Sequence, residues 1–291
     1  MISAIAQGLL WAVLGLGIFT TYRILNFPDL TAEGSFPLGA AVGVTAIVSG
    51  VHPLIASALA FLAGMAAGLV TGLLYTKGKV PVILSGILVM SGLHSVMLYI
   101  MGRPNVSLLQ SPRLFDPFSD LPNYFDVVVV GAIVLILSIS LLLFFFYTQL
   151  GQAYIATGDN EKMARSLGIQ TDRMKVIGLV FSNGIIALGG ALVAQNNGYA
   201  DVNGGNGIIV IGLASIIIGE VVFKEVTLGE RLVTVVIGSI LYQFLLLSVI
   251  QLGLDTTYIR LFSSAILAVC LMLPQFRKSV RLHVQMSKEG I

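Results

Sequence analysis

The sequence predicts an all-α protein, a polytopic bundle of about nine membrane-spanning helices (eight to ten). Three observations predict it. First, 56% of the 291 residues are hydrophobic and only 10% are charged, whereas a soluble domain carries about 25% charged residues. Second, the apolar residues come in blocks of about twenty, the length that crosses a hydrocarbon core. Third, lysine and arginine gather in alternate loops, as the positive-inside rule requires.

The apolar runs fall at 4–25, 36–51, 53–75, 81–101, 125–147, 174–194, 207–223, 232–252 and 257–274. Pro, Gly or charge bounds each of them, as helix ends require. Backbone polar groups need internal partners in lipid, so such runs must be helices. The runs 36–51 and 207–223 are short for a crossing, which makes them tilted, broken or re-entrant. The first run lacks a basic flank of the kind a cleavable signal carries and is expected to be a retained helix.

Orientation follows from the loops. Lys77 and Lys79, then Lys162, Arg165, Arg173 and Lys175, then Lys224 and Arg231, and finally Arg277, Lys278, Arg281 and Lys288 all fall on one side of a nine-span chain. That side is the cytoplasm. The N-terminus is then outside and the C-terminus cytoplasmic. The loop 102–124 faces out, the loop 148–173 faces in, and 275–291 is a basic cytoplasmic tail. Residues 1–291 form one membrane domain whose surrounding partner is lipid. A net charge of +2 offers no basic face for nucleic acid. The single Cys270 excludes an intramolecular disulfide and a cysteine zinc cluster.

The inner loop is the most informative stretch. Asp159 or Asn160 can cap a helix by accepting its orphan N–H groups. Glu161 adds negative charge to the first turn, and Gly168 is a plausible stop. A helix of about two turns results, with Met163, Ala164 and Leu167 on one face. Such an apolar stripe needs a cover. Docking into a partner protein and lying on the lipid surface both supply one.

Polar residues within the apolar runs are candidates for a solute path. Asn26, Asp29, Thr31 and Glu33 interrupt the chain between the first two runs, beside the helix breakers Pro28 and Pro37. The segment 26–37 reads either as a discontinuous helix at a substrate site or as a turn at the inner face. Ser85, His94 (between Ser91 and Ser95), Ser182, Asn183 and Gln243 lie inside runs. Asn196 and Asn197, with Tyr199, Asp201 and Asn203, form a polar outer mouth. Each of these residues equally suits interhelical hydrogen bonding. Glu220 is placed to pair with Lys224 at i+4. Gly64, Gly68 and Gly72, and Gly39 with Gly43, form small-residue ridges that allow close helix packing.

Several chemistries are set aside. The chain has no Gly-x-x-x-x-Gly-Lys-[Ser/Thr] phosphate loop and no Gly-x-Ser-x-Gly nucleophile elbow. No His/Cys cluster has metal-ligand spacing. Catalytic residues and metal ligands are therefore not expected.

The inner loop, from Gly158-Asp159 to Leu167-Gly168-Ile169, resembles the coupling-helix region of ABC importer permeases of the branched-chain amino acid/ribose type. Tyr22-Arg23-Ile24-Leu25-Asn26-Phe27-Pro28-Asp29, then Gly34 and Leu38-Gly39-Ala40, resembles a second stretch of that superfamily. Lys79-Val80-Pro81, Ser85-Gly86-Ile87, Arg103-Pro104-Asn105 and Gly219-Glu220-Val221 are similar to its tryptophan/tyrosine permease subgroup. The resemblance covers residues 5–275.

It implies a bacterial cell-membrane transporter subunit, not an enzyme, that imports a small solute by alternating access. A second permease copy, two cytoplasmic ATP-binding subunits and an extracellular substrate-binding protein would complete the assembly. ATP and Mg would sit on the ATPase, and this chain would bind no cofactor. The resemblance implies coupling through Gly158, Asp159, Asn160, Glu161, Met163, Ala164, Arg165, Leu167 and Gly168. Glu161 and Arg165 would make polar contacts with the ATPase, and Met163, Ala164 and Leu167 would fill its groove. The implied cargo is an amino acid, with aromatic ones the leading class. Relatives with similar motifs carry nucleosides or sugars. A stand-alone secondary transporter or channel predicts charges buried at mid-span, where this sequence has almost none.

Overall fold

A computed structural model describes residues 1–251 except 110, 119, 123 and 224–226, and beyond 251 only 261, 262, 264, 265, 267–269 and 272. The ninth expected run lies mostly outside the described residues, although its described positions are helical. Lys224, Cys270 and the tail 275–291 lie outside them altogether.

Among the described residues, six helices are long and apolar enough to cross a membrane. The first is α1 (Ile2–Phe19), prolonged by a π-helical turn over Thr20–Ile24. The others are α3 (Pro53–Thr76), α4 (Val82–Met101), α5 (Phe125–Tyr147), α8 (Thr171–Asn197) and α10 (Leu228–Gln251). Two apolar helices are shorter, α2 (Ala32–Val48) and α9 (Ile208–Val222). At about 1.5 Å per residue they are roughly 25 and 22 Å long, less than the hydrocarbon thickness of about 30 Å. Between α5 and α8 lie α6 (Gln149–Asp159) and α7 (Glu161–Ser166). At the opposite end of the bundle, β1 (Asn105–Ser107) pairs antiparallel with β2 (Tyr199–Asp201).

Helix α8 is the axis of the bundle. It buries 72% of its most apolar window, the largest share of any span. Glycines let its neighbours approach backbone to backbone. A Cβ on Gly39 of α2 would overlap the Ala187 carbonyl. One on Gly64 or Gly68 of α3 would overlap the Asn183 or Leu179 carbonyl, and one on Gly190 the Phe36 carbonyl. The ridge expected from Gly64, Gly68 and Gly72 therefore packs on α8, with Gly72 the looser member at 3.1 Å from Val176 Cα.

The same contacts fix the depth of the short helices. Ser35 and Gly39 lie level with Asn183 and Ala187, so α2 begins about 18 Å along α8 from Thr171. Helix α9 begins at that level too. Gly205 packs on the Glu33 carbonyl and on the Pro37 ring, and the Gly207 N–H donates to Glu33 Oε1 at 3.1 Å. Both short helices thus start inside the bundle with their N-terminal ends together. Pro37 lies inside α2 instead of breaking it. Its missing N–H releases the Glu33 carbonyl from the helix ladder, and Gly205 fits there because it has no side chain.

Substitution of the glycine ridge should follow this geometry. Gly64→Ala and Gly68→Ala should each cost about 1–3 kcal/mol through overpacking. Gly72→Ala should cost less, and Gly92→Ala, which meets nothing within 4 Å, should be neutral. Thermal unfolding in detergent checks the order.

Candidate functional site

Candidate functional side chains gather at the end of the bundle that carries α6 and α7. Thr148 caps α6 by accepting the Gly151 N–H at 3.1 Å. Helix α6 buries Gly151, Tyr154 and Thr157. Tyr154 reaches across to donate to the Thr20 carbonyl at 2.5 Å, and burial pushes its phenol pKa far up. The sequence reading expected one short helix in this loop. It missed α6 because Gly151, Tyr154 and Thr157 are not an apolar stripe, and their shared face appears only when α1 and α8 lie against it.

Asn160 caps α7 by accepting the Met163 N–H at 3.1 Å. Asp159 instead closes α6. Gly168 ends the turn at φ +83, as expected of a C-terminal glycine. Ala164 is 1% exposed, whereas Met163 and Leu167 are 59% and 68% exposed. The expected three-residue stripe is therefore split. Ala164 anchors the helix, and the other two project from it. Gly158 is a close-contact position, where a Cβ would overlap the Ile24 carbonyl. Its own carbonyl accepts from Asn26 Nδ2 at 3.0 Å. The turn after α1 is thus stitched to the loop, with Asn26 itself at φ 53.

Glu161 and Arg165 are engaged within the chain. Glu161 Oε1 accepts from Lys175 Nζ at 2.8 Å and from Arg165 Nη2 at 2.9 Å. Arg165 Nη2 also meets Asp172 Oδ1 at 2.9 Å, and its Nε donates to Thr171 Oγ1 at 2.8 Å. Lys175 Nζ donates to the Tyr75 hydroxyl at 3.1 Å and lies 5.0 Å from that ring's centroid. The hydrogen bond from Lys175 is the main influence holding the Glu161 carboxyl below its ordinary value of 4.5. The Arg165 pairs are half-exposed, and such pairs contribute about 0–1 kcal/mol. The Lys175 side chain is only 8% exposed, whereas the Glu161 carboxylate it meets is 39% exposed, so water screens the pair on one side only. Arg173 is exposed and lines an open cleft of about 350 Å³ beside α7 with Arg165, Ile169 and Gln170.

A second polar cluster lies deeper. Asn183 Nδ2 donates to Asp29 Oδ2 at 2.7 Å, and Asn183 Oδ1 accepts from Ser35 at 2.6 Å. Asp29 Oδ1 accepts the Thr31 N–H at 2.9 Å, and Thr31 shares a hydrogen bond with Thr71 at 2.8 Å. Ser182 donates to the Gly17 carbonyl at 2.8 Å. These side chains are buried and partnered, so they join α1, α2, α3 and α8. Ser85 is buried and bonded within its own helix, to the Val82 carbonyl at 2.7 Å. His94, Ser91 and Ser95 are exposed on α4. Asn196 is half-buried and Asn197 exposed at the end of α8. Glu33 is half-buried between α2 and α9. The Glu220 side chain pairs with Arg23 Nε at 2.6 Å, a contact between α9 and the end of α1 that local spacing could not reveal.

Among the described residues, six helices able to cross a membrane, two short helices starting at mid-bundle and a polar loop end fit a multi-pass membrane protein. The chain belongs to the family described as branched-chain amino acid transport system / permease component, which it matches over residues 1–271. It is 40% identical over 267 residues to the tyrosine transport system permease protein of Clostridioides difficile, covering 92% of this chain and 88% of that one. It is 28% identical over 223 residues to an autoinducer 2 import system permease protein of Yersinia pseudotuberculosis, covering 75% of this chain and 61% of the relative. Its fold is similar to that of PsaBC from Streptococcus pneumoniae, solved in complex with Fab, with TM-score 0.51 and 15% identity over 92% of this chain and 88% of that one. The chain is a bacterial multi-pass membrane protein and an ABC transporter permease, in a family of transporter subunits.

Asn183→Leu removes the partner of Asp29 Oδ2 and of the Ser35 hydroxyl. It should cost about 1–3 kcal/mol per buried unpaired group, more than the roughly 0.6 kcal/mol usual for one interhelical bond in a membrane. Ser35→Ala should approach the smaller figure, and thermal unfolding distinguishes the two. Because the Glu161 pKa is depressed in the folded chain, the Glu161 contact stabilises above its ordinary pKa and is lost as pH falls through the folded value. Hydrogen exchange in 160–170, corrected for intrinsic rate, should stay flat from neutral pH down to about 5 and rise only below the ordinary carboxylate range.

Proposed function

We propose that the chain is the permease subunit of an ATP-driven amino acid importer, with an aromatic amino acid such as tyrosine as cargo. One observation carries the mechanism. Helix α7 holds Met163 and Leu167 exposed at the polar end of the bundle while its other face is tied to α8. An exposed apolar pair on a tethered helix suits a partner's groove. In this reading a cytoplasmic ATP-binding subunit receives Met163 and Leu167, with Lys162 and Arg173 at the rim. The α6–α7 end is cytoplasmic, the N-terminus is outside, and a ninth span brings the C-terminus back inside.

Two copies of the permease form the path, served by two ATPase subunits that hold ATP and Mg and by an extracellular substrate-binding protein. The exposed polar stripe of α4, Ser91, His94 and Ser95, faces the second copy, because polar groups facing lipid are costly. The 40% identity to a tyrosine permease supports the cargo. Nucleosides and sugars are the alternative cargoes.

The test is purification of the tagged chain from native membranes in mild detergent. A stoichiometric ATPase bearing a phosphate loop is expected, with two permease copies that cross-link through Ser95→Cys. Leu167→Asp should leave the bundle folded and lower transport by about tenfold or more, a loss of about 1.4 kcal/mol of coupling. A clean homo-oligomer without ATPase, or normal transport by Leu167→Asp, would overturn the assignment in favour of a secondary transporter.

A further inference from the structure

We propose that Glu161 and Lys175 form a clasp that makes α7 move as one body with α8. Both are positioning residues for coupling instead of contacts to the ATPase. The proposal rests on the reading of α7 as the element that meets the ATPase.

Helix α7 has six residues, far too short to be stable alone. Ala164 is its one buried residue, and its two large apolar side chains point away from the bundle. Side-chain tethers must therefore hold it. The Arg165 contacts to Glu161 and Asp172 are half-exposed, and exposed pairs hold weakly. The Lys175 contact differs. Its ammonium is withdrawn from water, although the Glu161 carboxylate is part-exposed, with Glu161 at 2.8 Å and the Tyr75 hydroxyl at 3.1 Å. A buried ammonium strongly resists separation from its carboxylate. Tyr75 is itself braced edge-on by Phe27 at 5.2 Å between ring centroids.

The far side of the clasp is equally firm. Lys175 lies two turns before Asn183 on α8, and α8 is locked to α2 and α3 by the glycine contacts at Gly39, Gly64 and Gly68. A push on Met163 and Leu167 thus reaches α8 through Glu161–Lys175. Without the clasp only the half-exposed Arg165 contacts to Thr171 and Asp172 remain, and the same push tilts α7 about Ala164 with little of it reaching α8.

The experiment places spin labels on Ser166→Cys in α7 and Asn197→Cys at the far end of α8, in the assembled transporter with Cys270→Ser. Their separation is measured before and after vanadate traps nucleotide on the ATPase. With Glu161 and Lys175 intact, the distribution should be narrow and unchanged by trapping. Glu161→Gln and Lys175→Met should each retain the ATPase but show a broadened distribution that shifts on trapping. The double variant should be no worse than either single one, and Lys175→Arg should behave as wild type.

A shift with both residues intact, or an unchanged narrow distribution in both single variants, overturns the clasp. Loss of the ATPase in Glu161→Gln also overturns it, by making Glu161 a direct contact. Should Lys175→Met fail to accumulate, Glu161→Gln and Tyr75→Phe decide, the latter removing only the hydroxyl and giving an intermediate broadening. Failure of the unmodified chain to bring down any ATPase is a different result, and it removes the functional reading itself.

Discussion

Close packing of α8 between α2 and α3 sets the rest of the structure. Apolar surface offers no driving force between helices already in lipid, so association relies on van der Waals contact and hydrogen bonds. Both need short distances. The glycines supply them at Gly39, Gly64, Gly68 and Gly190, where no side chain fits. Once the backbones meet, Asn183 is close enough to bond both Asp29 and Ser35. That in turn fixes where α2 starts.

The start of α2 has a consequence for α9. Both helices are shorter than the hydrocarbon core is thick, and their N-terminal ends meet within the bundle at Glu33, Gly205 and Gly207. Non-helical backbone at that depth is tolerated where protein or a wet cavity surrounds it. Here glycine, a proline lacking an N–H and a carboxylate accepting an orphan N–H meet the requirement together. The partial positive charge of a helix N-terminus favours that carboxylate. Polar residues between apolar runs thus serve the architecture before any solute arrives.

The loop end shows the same division of labour. Side chains that could have reached outward, Glu161 and Arg165, are held by Lys175, Asp172 and Thr171. Those left outward are Met163 and Leu167. The Arg23–Glu220 pair joins α1 to α9 at this end, and Asn26 joins the turn after α1 to Gly158. Movement at α7 therefore has mechanical routes to α8 directly and to α1 through the loop.

Much of this was legible in the chain itself. Apolar runs determine helices in lipid because the backbone has no other partner, and eight of the nine runs coincide with described helices. Asn160 as a cap and Gly168 as a stop follow from local backbone chemistry, which sequence spacing encodes. The shortness of 36–51 and 207–223 marked them as tilted, broken or re-entrant. What only the tertiary structure decided is where polar side chains point. Ser182 and Asn183 suit a solute path or interhelical bonding by sequence, and Asp29 a substrate site or a turn; all three are partnered between helices. Ala164 shares a helical face with Leu167 by spacing yet is buried, because α7 lies against α8. Glu220 pairs with Arg23, a partner that local spacing does not offer. A hydrogen bond or ion pair between residues more than a hundred positions apart leaves no periodicity to read; it exists only once packing has brought its two ends together.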